Sequence, residues 1–277
     1  MFRLFKKKKG PFVSGNSLVD YYTNYDEDGR LSSPHGQVEF LTTVRYIEKY
    51  LRPGMNVIEI GAGTGRYSHY FAQKGYPVTA VELVEHNLSI LRSKTKKDEN
   101  LTAVQGNAVD LSRFADESFD VTLLLGPMYH LYKREEQNAA LCEAIRITKP
   151  DGMIFVAYCM ADPSILGYGF IKHNALQLVR DDMLDPVTFK TFSEGKSMFE
   201  LYTVSDIRAL VRGFPVTELN LIAADGYTNH MRGAVEEMSK AEYDLYLKYH
   251  FATCERQDLI GISHHTLHIL RKEGSPQ

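Results

Sequence analysis

The sequence predicts an α/β protein: a largely parallel sheet with helices on both faces. Three observations carry this. Between Asn56 and Tyr158, short continuous apolar segments alternate with amphipathic ones. A glycine-rich loop stands between the first apolar segment and the helix that follows it. An acidic residue ends the second apolar segment. Continuously apolar strands are buried on both faces, as parallel strands joined by helical crossovers are.

The elements follow in order. NVIEI, Asn56 to Ile60, is a buried strand, and after the glycine loop a helix runs to about Lys74. PVTAVE, Pro77 to Glu82, is the second strand. Val84 to about Lys97 is helical, with Leu88 and Leu91 on an apolar face. LTAVQ (Leu101 to Gln105), FDVTLLL (Phe119 to Leu125) and GMIFVAY (Gly152 to Tyr158) are three further strands. The helix near Arg134 to Ile147 presents Leu141, Ala144, Ile145 and Thr148 at helical spacing, and Lys149-Pro150-Asp151-Gly152 turns the chain after it. Met160 to Ser197 reads as a partly helical insertion. A helix capped by Thr203 or Ser205 follows, with Ile207, Leu210 and Val211 facing inward. VTELNLIAA (Val216 to Ala224) alternates as a strand, Ala234 to Arg256 reads as one helix, and HHTLHILRK (His264 to Lys272) closes as a strand. The organisation expected is an extension over residues 1–37, then one domain over 38–277 with insertions at about 160–200 and 226–262.

Composition narrows the function classes. The 277 residues carry 32 Lys plus Arg against 35 Asp plus Glu, a net charge of −3, which argues against nucleic-acid or membrane binding driven by charge. Cys142, Cys159 and Cys254 are odd in number and widely spaced, which fits buried thiols in a reducing cytoplasm rather than a disulfide framework. The Lys6 to Lys9 cluster reads as a solvated terminus.

VIEIGAGTGRYS places Gly61, Gly63 and Gly65 between a strand and a helix, where the backbone turns tightly and a ligand can approach. The spacing is G-x-G-x-G, with Arg66 where a dinucleotide loop usually has its third glycine. Glu82 ends the second strand, 21 residues beyond Gly61, where a carboxylate can accept hydrogen bonds from both ribose hydroxyls.

On these residues the chain resembles the class I, Rossmann-like, S-adenosylmethionine-dependent methyltransferases, over about Val38 to Tyr158. NAVDLSRFADESFDVTLLL is similar to the family's run from the adenine contact into the fourth strand, and ITKPDGMIFVAY to its helix–turn–fifth strand. The resemblance implies a seven-stranded, mostly parallel sheet with helices on both faces and an antiparallel last strand. To this the chain's own residues add an N-terminal helical extension and a helical insertion after strand five. S-adenosyl-L-methionine is the implied cofactor, contacted by Glu59, Gly61, Ala62, Gly63, Gly65, Glu82, Leu83, Asn107, Ala108 and Leu125, with Tyr22 folding over it. Asn107 stands where the family commonly has aspartate, and its amide oxygen can still accept from adenine.

The loop after the fourth strand, LLLGPMYHL, faces the ligand cleft of an open α/β sheet. It has neither the N-P-P-Y nor the D-P-P-Y pattern of nucleobase amino-methyltransferases, nor a nucleophilic cysteine, so a small-molecule acceptor is expected. His130 is the candidate general base and Tyr129 the candidate wall against the sulfonium; both could also simply shape the pocket. Tyr21 or Arg30 could join Tyr22 over the cofactor. Arg30 could pair with the methionine carboxylate or form a surface salt bridge. Ile165, Leu166, Tyr168, Phe170 and Ile171 are expected on the other wall of the substrate site. No metal is expected: His264 and His268 share one strand face, His265 lies on the other, and no acidic ligand is near in sequence. The alternatives are a nicotinamide-dependent oxidoreductase and a non-catalytic S-adenosylmethionine-binding protein. The expected setting is cytoplasmic; sequence leaves the oligomeric state and acceptor atom open.

Overall fold

The computed structural model describes residues 18–194 and 196–274; the Lys6–Lys9 cluster lies outside the described residues. Seven strands form one sheet in the order β3-β2-β1-β4-β5-β7-β6. They are β1 Val57–Ile60, β2 Val78–Glu82, β3 Leu101–Gln105, β4 Phe119–Leu124, β5 Thr148–Cys159, β6 Val216–Ala223 and β7 His265–Lys272. The first five pair in parallel, while β7 runs antiparallel to both β5 and β6. This is the seven-stranded, mostly parallel, Rossmann-like methyltransferase sheet that the resemblance implies.

Alternation along the central strands builds two cores. On β4, Val121 and Leu123 point into one layer and Leu124 into the other; on β5, Met153 and Phe155 oppose Ile154, Val156 and Tyr158. The first layer is covered by α2 (Pro34–Glu48) and α3 (Arg66–Gln73), which contribute Phe40, Val44, Ile47 and Phe71. The second is covered by α5 (Arg134–Ile147) and α8 (Val204–Val211), through Leu141, Ala144, Ile207 and Leu210. Because both faces are covered at the centre of the sheet, β1 and β4 have no solvent face to alternate against, and their sequences read as nearly continuous apolar runs.

Several expectations are corrected. The helix expected over Ala234–Arg256 is two, α9 (Arg232–Glu237) and α10 (Lys240–Thr253). Ser239 accepts from the Glu242 amide while Glu242 accepts from the Ser239 amide, a reciprocal cap that starts a new helix. Thr148 is not on α5: it is the first residue of β5, buried, with its hydroxyl donating to the Ala144 carbonyl at 2.6 Å. The 149–152 turn lies within β5, whose register against β4 is irregular there, and Asp151 takes a positive φ of 60°. The helix after β2, α4, spans Glu85–Lys94 and stops short of Lys97, with Thr95 extended. The 37/38 boundary falls inside α2. Cys142 is exposed, unlike Cys159 and Cys254.

Before α2, α1 (Leu18–Asn24) precedes an irregular loop; after β5 come α6 (Ala161–Ser164), a π-helical turn over Ile165–Ile171 and α7 (Ala175–Arg180). Among the described residues, no helix is long and apolar enough to cross a membrane.

Candidate active site

The site lies beyond the carboxyl ends of β1, β2 and β4, where an open parallel sheet leaves a crevice. After β1 the chain turns through Gly61, Gly63 and Gly65 at φ of 75°, 55° and 87°. The amides of Gly61 and Ala62 both donate to the Val81 carbonyl, at 2.8 and 3.0 Å. A Cβ on Gly61 would stand 2.7 Å from Pro127 Cδ, so the glycine is needed for close approach as well as for its φ. Gly65 packs against Leu91 and does not line the cavity, which corrects its assignment as a cofactor contact.

Glu82 binds this loop together. Its Oε2 accepts from the Gly63 amide at 2.7 Å and its Oε1 from the Val84 amide at 2.8 Å. It is only 5% exposed, and burial raises its pKa against the pull of those two amides. Two of its four acceptor positions are thereby used and two remain.

A cavity of about 360 Å³ opens over this loop. Glu59, Gly61, Ala62, Gly63, Glu82, Leu83, Asn107, Ala108, Leu125, Tyr22, Tyr129 and His130 all line it. Glu59 lies at the floor, 2% exposed, accepting from the Ser68 hydroxyl; burial pushes its pKa up to about 8, so it is mostly protonated at neutral pH. The exposed Asn107 spends its amide oxygen on the Val109 amide at 3.3 Å, which leaves its NH2 group for a ligand. The donor set suits an adenosyl ligand: two free carboxylate acceptors at a strand end, a glycine cradle a Cβ would fill, and an amide at the third strand's end.

His130 differs from expectation. His130 Nδ1 donates to the Met198 carbonyl at 3.0 Å, so Nε2 is the unprotonated nitrogen and accepts from the Tyr22 hydroxyl at 2.8 Å. Both nitrogens are engaged, and burial lowers the pKa to about 4 against the Met198 hydrogen bond. A histidine with no free lone pair and suppressed basicity is poorly suited to take a proton; its geometry anchors Tyr22. Tyr129 donates to the Leu125 carbonyl at 3.0 Å, and its ring packs against His130 and Phe199.

Through Tyr22, Glu27, Arg30 and Tyr129 this cavity shares a wall with a second one of about 490 Å³. The second is walled by Tyr21, Tyr25 and Phe199 and floored by Glu39, Asp225 and His265. Arg30 is not a surface salt bridge: Nη1 pairs with Glu39 Oε2 at 2.9 Å and Nε with Glu27 Oε1 at 3.0 Å, between the two cavities. Of the insertion, Ser164 lines the second cavity; Ile165, Leu166, Tyr168, Phe170 and Ile171 do not, and Leu166, Phe170 and Ile171 face solvent. The expected apolar wall is instead aromatic and comes from the extension and Phe199.

The histidines separate. His268 Nε2 meets Glu218 at 2.8 Å inside the sheet, and the His264 ring packs against His230 at a tilt of 49°. His265 stands with Asp225 and Glu39, acidic partners that the sequence did not place beside it; ligand atoms of this trio come within 4.8 Å of one another. The groups are paired internally, as Asp225 also accepts from Ser263 and Asn229. Missing from the sequence reading were Glu27, Glu39, Asp225 and Phe199, which no local pattern marks.

Sheet order, glycine loop and the strand-end glutamate have the arrangement of the class I, Rossmann-like, S-adenosylmethionine-dependent methyltransferase fold. Residues 58–156 match the family model described as a methyltransferase domain. It is 36% identical over 106 residues to the demethylmenaquinone methyltransferase of Renibacterium salmoninarum, covering 38% of this chain and 41% of that protein. It is 31% identical over 134 residues to the cypemycin N-terminal methyltransferase of a Streptomyces species, covering 48% and 51%. A Thermotoga maritima S-adenosylmethionine-dependent methyltransferase superposes with a TM-score of 0.57 at 19% identity, over 92% of this chain and 98% of that one. The chain thus spans about two fifths to one half of the curated relatives it matches.

Proposed function

We propose that the protein transfers a methyl group from S-adenosyl-L-methionine to a small-molecule acceptor. The observation that carries this reading is Glu82, locked to Gly63 and Val84, with two acceptor positions open at the edge of the loop cavity. Bound there, S-adenosylmethionine supplies a methyl group already activated by its sulfonium, so the protein need only align acceptor and methyl and exclude water. In this reading Glu82 holds the ribose and Asn107, Leu83 and Ala108 frame the adenine. Glu59, Gly61, Ala62 and Gly63 receive the methionine end, with Leu125 and Tyr129 beside the methyl. Tyr22, held by His130, closes the site from above, as the lid assigned to residues 1–37.

The second cavity, joined through Tyr22 and Tyr129, is the acceptor side. Its aromatic and carboxylate-bearing walls fit a small molecule better than a nucleic-acid strand, and we place the protein in the cytoplasm. The matched relatives' names span demethylmenaquinone and the cypemycin N-terminus, so they support methyl transfer without choosing the acceptor.

Titration calorimetry with S-adenosylhomocysteine and with NAD tests the reading. Binding of S-adenosylhomocysteine alone supports it; preference for NAD would point to the oxidoreductase class and overturn it.

A further inference from the structure

The second cavity holds one polar arrangement that the cofactor reading does not use. His265 opens β7, and its backbone amide donates to Asp225 Oδ1 at 3.1 Å while Nδ1 meets Asp225 Oδ2 at 2.7 Å. Glu39 Oε2, from α2, lies 3.3 Å from the same Nδ1. Asp225 is almost fully buried, and Ser263 and Asn229 fix both its oxygens. The ring is therefore oriented by Nδ1, while Nε2 has no hydrogen-bond partner among the described residues, and the side chain, 26% exposed, lines the cavity. A carboxylate on one imidazole nitrogen with the other free toward a cleft is the arrangement of a general base and its orienting partner.

We propose that His265, rather than His130, is the catalytic residue that takes the acceptor's proton, with Asp225 and Glu39 as its positioning residues, and hence that the acceptor is methylated on a protic heteroatom, N–H or O–H. The step balances. The heteroatom's lone pair forms the bond to the methyl carbon, the carbon–sulfur pair stays on sulfur, and the heteroatom's proton passes to Nε2. The imidazolium so formed lies between two carboxylates. By contrast, Nε2 of His130 already accepts from Tyr22. The inference rests on the methyltransferase reading.

The groups facing His265 are Glu39 from α2, Asp225 after β6, Glu27 from the loop before α2, Cys159 at the end of β5 and the adjacent His264. Arg30 opposes Glu39. Burial disfavours the charged ring, but Glu39 and Asp225 outweigh it and hold its pKa well above the ordinary imidazole value. The base form, and turnover with it, should therefore increase with pH through a midpoint set by those carboxylates.

The test begins with NMR titration of the His265 ring in the cofactor-free protein, its resonance identified by its loss in His265→Gln. Asp225→Asn should lower the midpoint by about one to three pH units, and Glu39→Gln by less. Separately, the protein is incubated with methyl-13C S-adenosylmethionine and a deproteinised metabolite extract, and the shift of the labelled methyl tells nitrogen or oxygen from carbon. His265→Gln should label about 100-fold more slowly while binding S-adenosylhomocysteine as wild type does. A midpoint unmoved in both carboxylate variants, a methyl on carbon, or a folded His265→Gln of wild-type rate would each overturn the proposal. Failure to bind S-adenosylhomocysteine would sink the methyltransferase reading instead; the cofactor-free titration still decides what holds His265.

Discussion

The two cavities that meet at Tyr22 and Tyr129 are built in opposite ways. The cavity over the glycine loop is made from strand ends and the loops that leave them, so its parts are near in sequence: Glu59, the glycine loop and Glu82 span two adjacent parallel strands. Backbone amides and glycine geometry do most of its work. The second cavity is made from side chains of segments far apart, with Glu39 on α2, Asp225 beyond β6 and His265 on β7. Ion pairs do most of its work. A backbone-built site tolerates change away from its few fixed positions, whereas a side-chain-built site shares each charge among several partners, so one substitution unsettles the whole cluster.

Arg30→Met should strike the second cavity hardest. It leaves Glu27 and Glu39 half-buried without their shared cation, at a cost of about 3–5 kcal/mol in stability. Burial already raises the pKa of Glu27 despite Arg30, and removing Arg30 raises it further. A carboxyl whose folded pKa is raised destabilises as pH climbs above its unfolded value, so the loss measured by chemical denaturation should be larger at pH 7.5 than at pH 5. A loss independent of pH would break the contrast drawn here.

Glu82→Ala tests the backbone-built cavity. Removing both ribose acceptors should weaken S-adenosylhomocysteine binding by about 2–4 kcal/mol, with Glu82→Gln intermediate, read by calorimetry. The structure adds that the Gly63 and Val84 amides lose their acceptor, so the alanine variant should also be less stable by about 1–3 kcal/mol. An unchanged affinity would remove Glu82 from the site.

Glu59→Gln should do the reverse. With a folded pKa of about 8 against 4.5 unfolded, Glu59 destabilises the cofactor-free protein increasingly between those values. The neutral amide should therefore gain roughly 2–3 kcal/mol near pH 7, and nothing below pH 4.5. Denaturant midpoints across pH check the sign.

The smallest effect belongs to the junction. Tyr22→Phe keeps the ring and removes one hydrogen bond to His130, a loss of about 1 kcal/mol. Because that bond favours the neutral ring, the His130 midpoint should rise from about 4 by NMR titration.

Legibility followed the same division. The strand limits were readable to within a residue or two for β1 to β4; in β1, β2 and β4, burial on both faces writes itself as nearly continuous apolar sequence. Ser239-Lys-Ala-Glu242 carries a capping-box pattern, and reading one helix through it missed a signal that was present. The second side of the site was not readable. Leu166, Phe170 and Ile171 looked like pocket wall because they are apolar, yet they face solvent. His130 looked like a base because it follows the fourth strand, yet Met198 and Tyr22, one of them 68 residues away, occupy both its nitrogens.

By itself the sequence determined the parallel sheet, the glycine loop and Glu82, because each is a local demand: a positive φ, a continuous buried strand, an acid at a strand end. Only the tertiary structure decided which histidine is free, since Asp225 lies 40 residues before His265 and Glu39 much further. The basicity of an imidazole depends on charges and burial within a few ångströms, and sequence spacing does not encode those neighbours once the chain has folded.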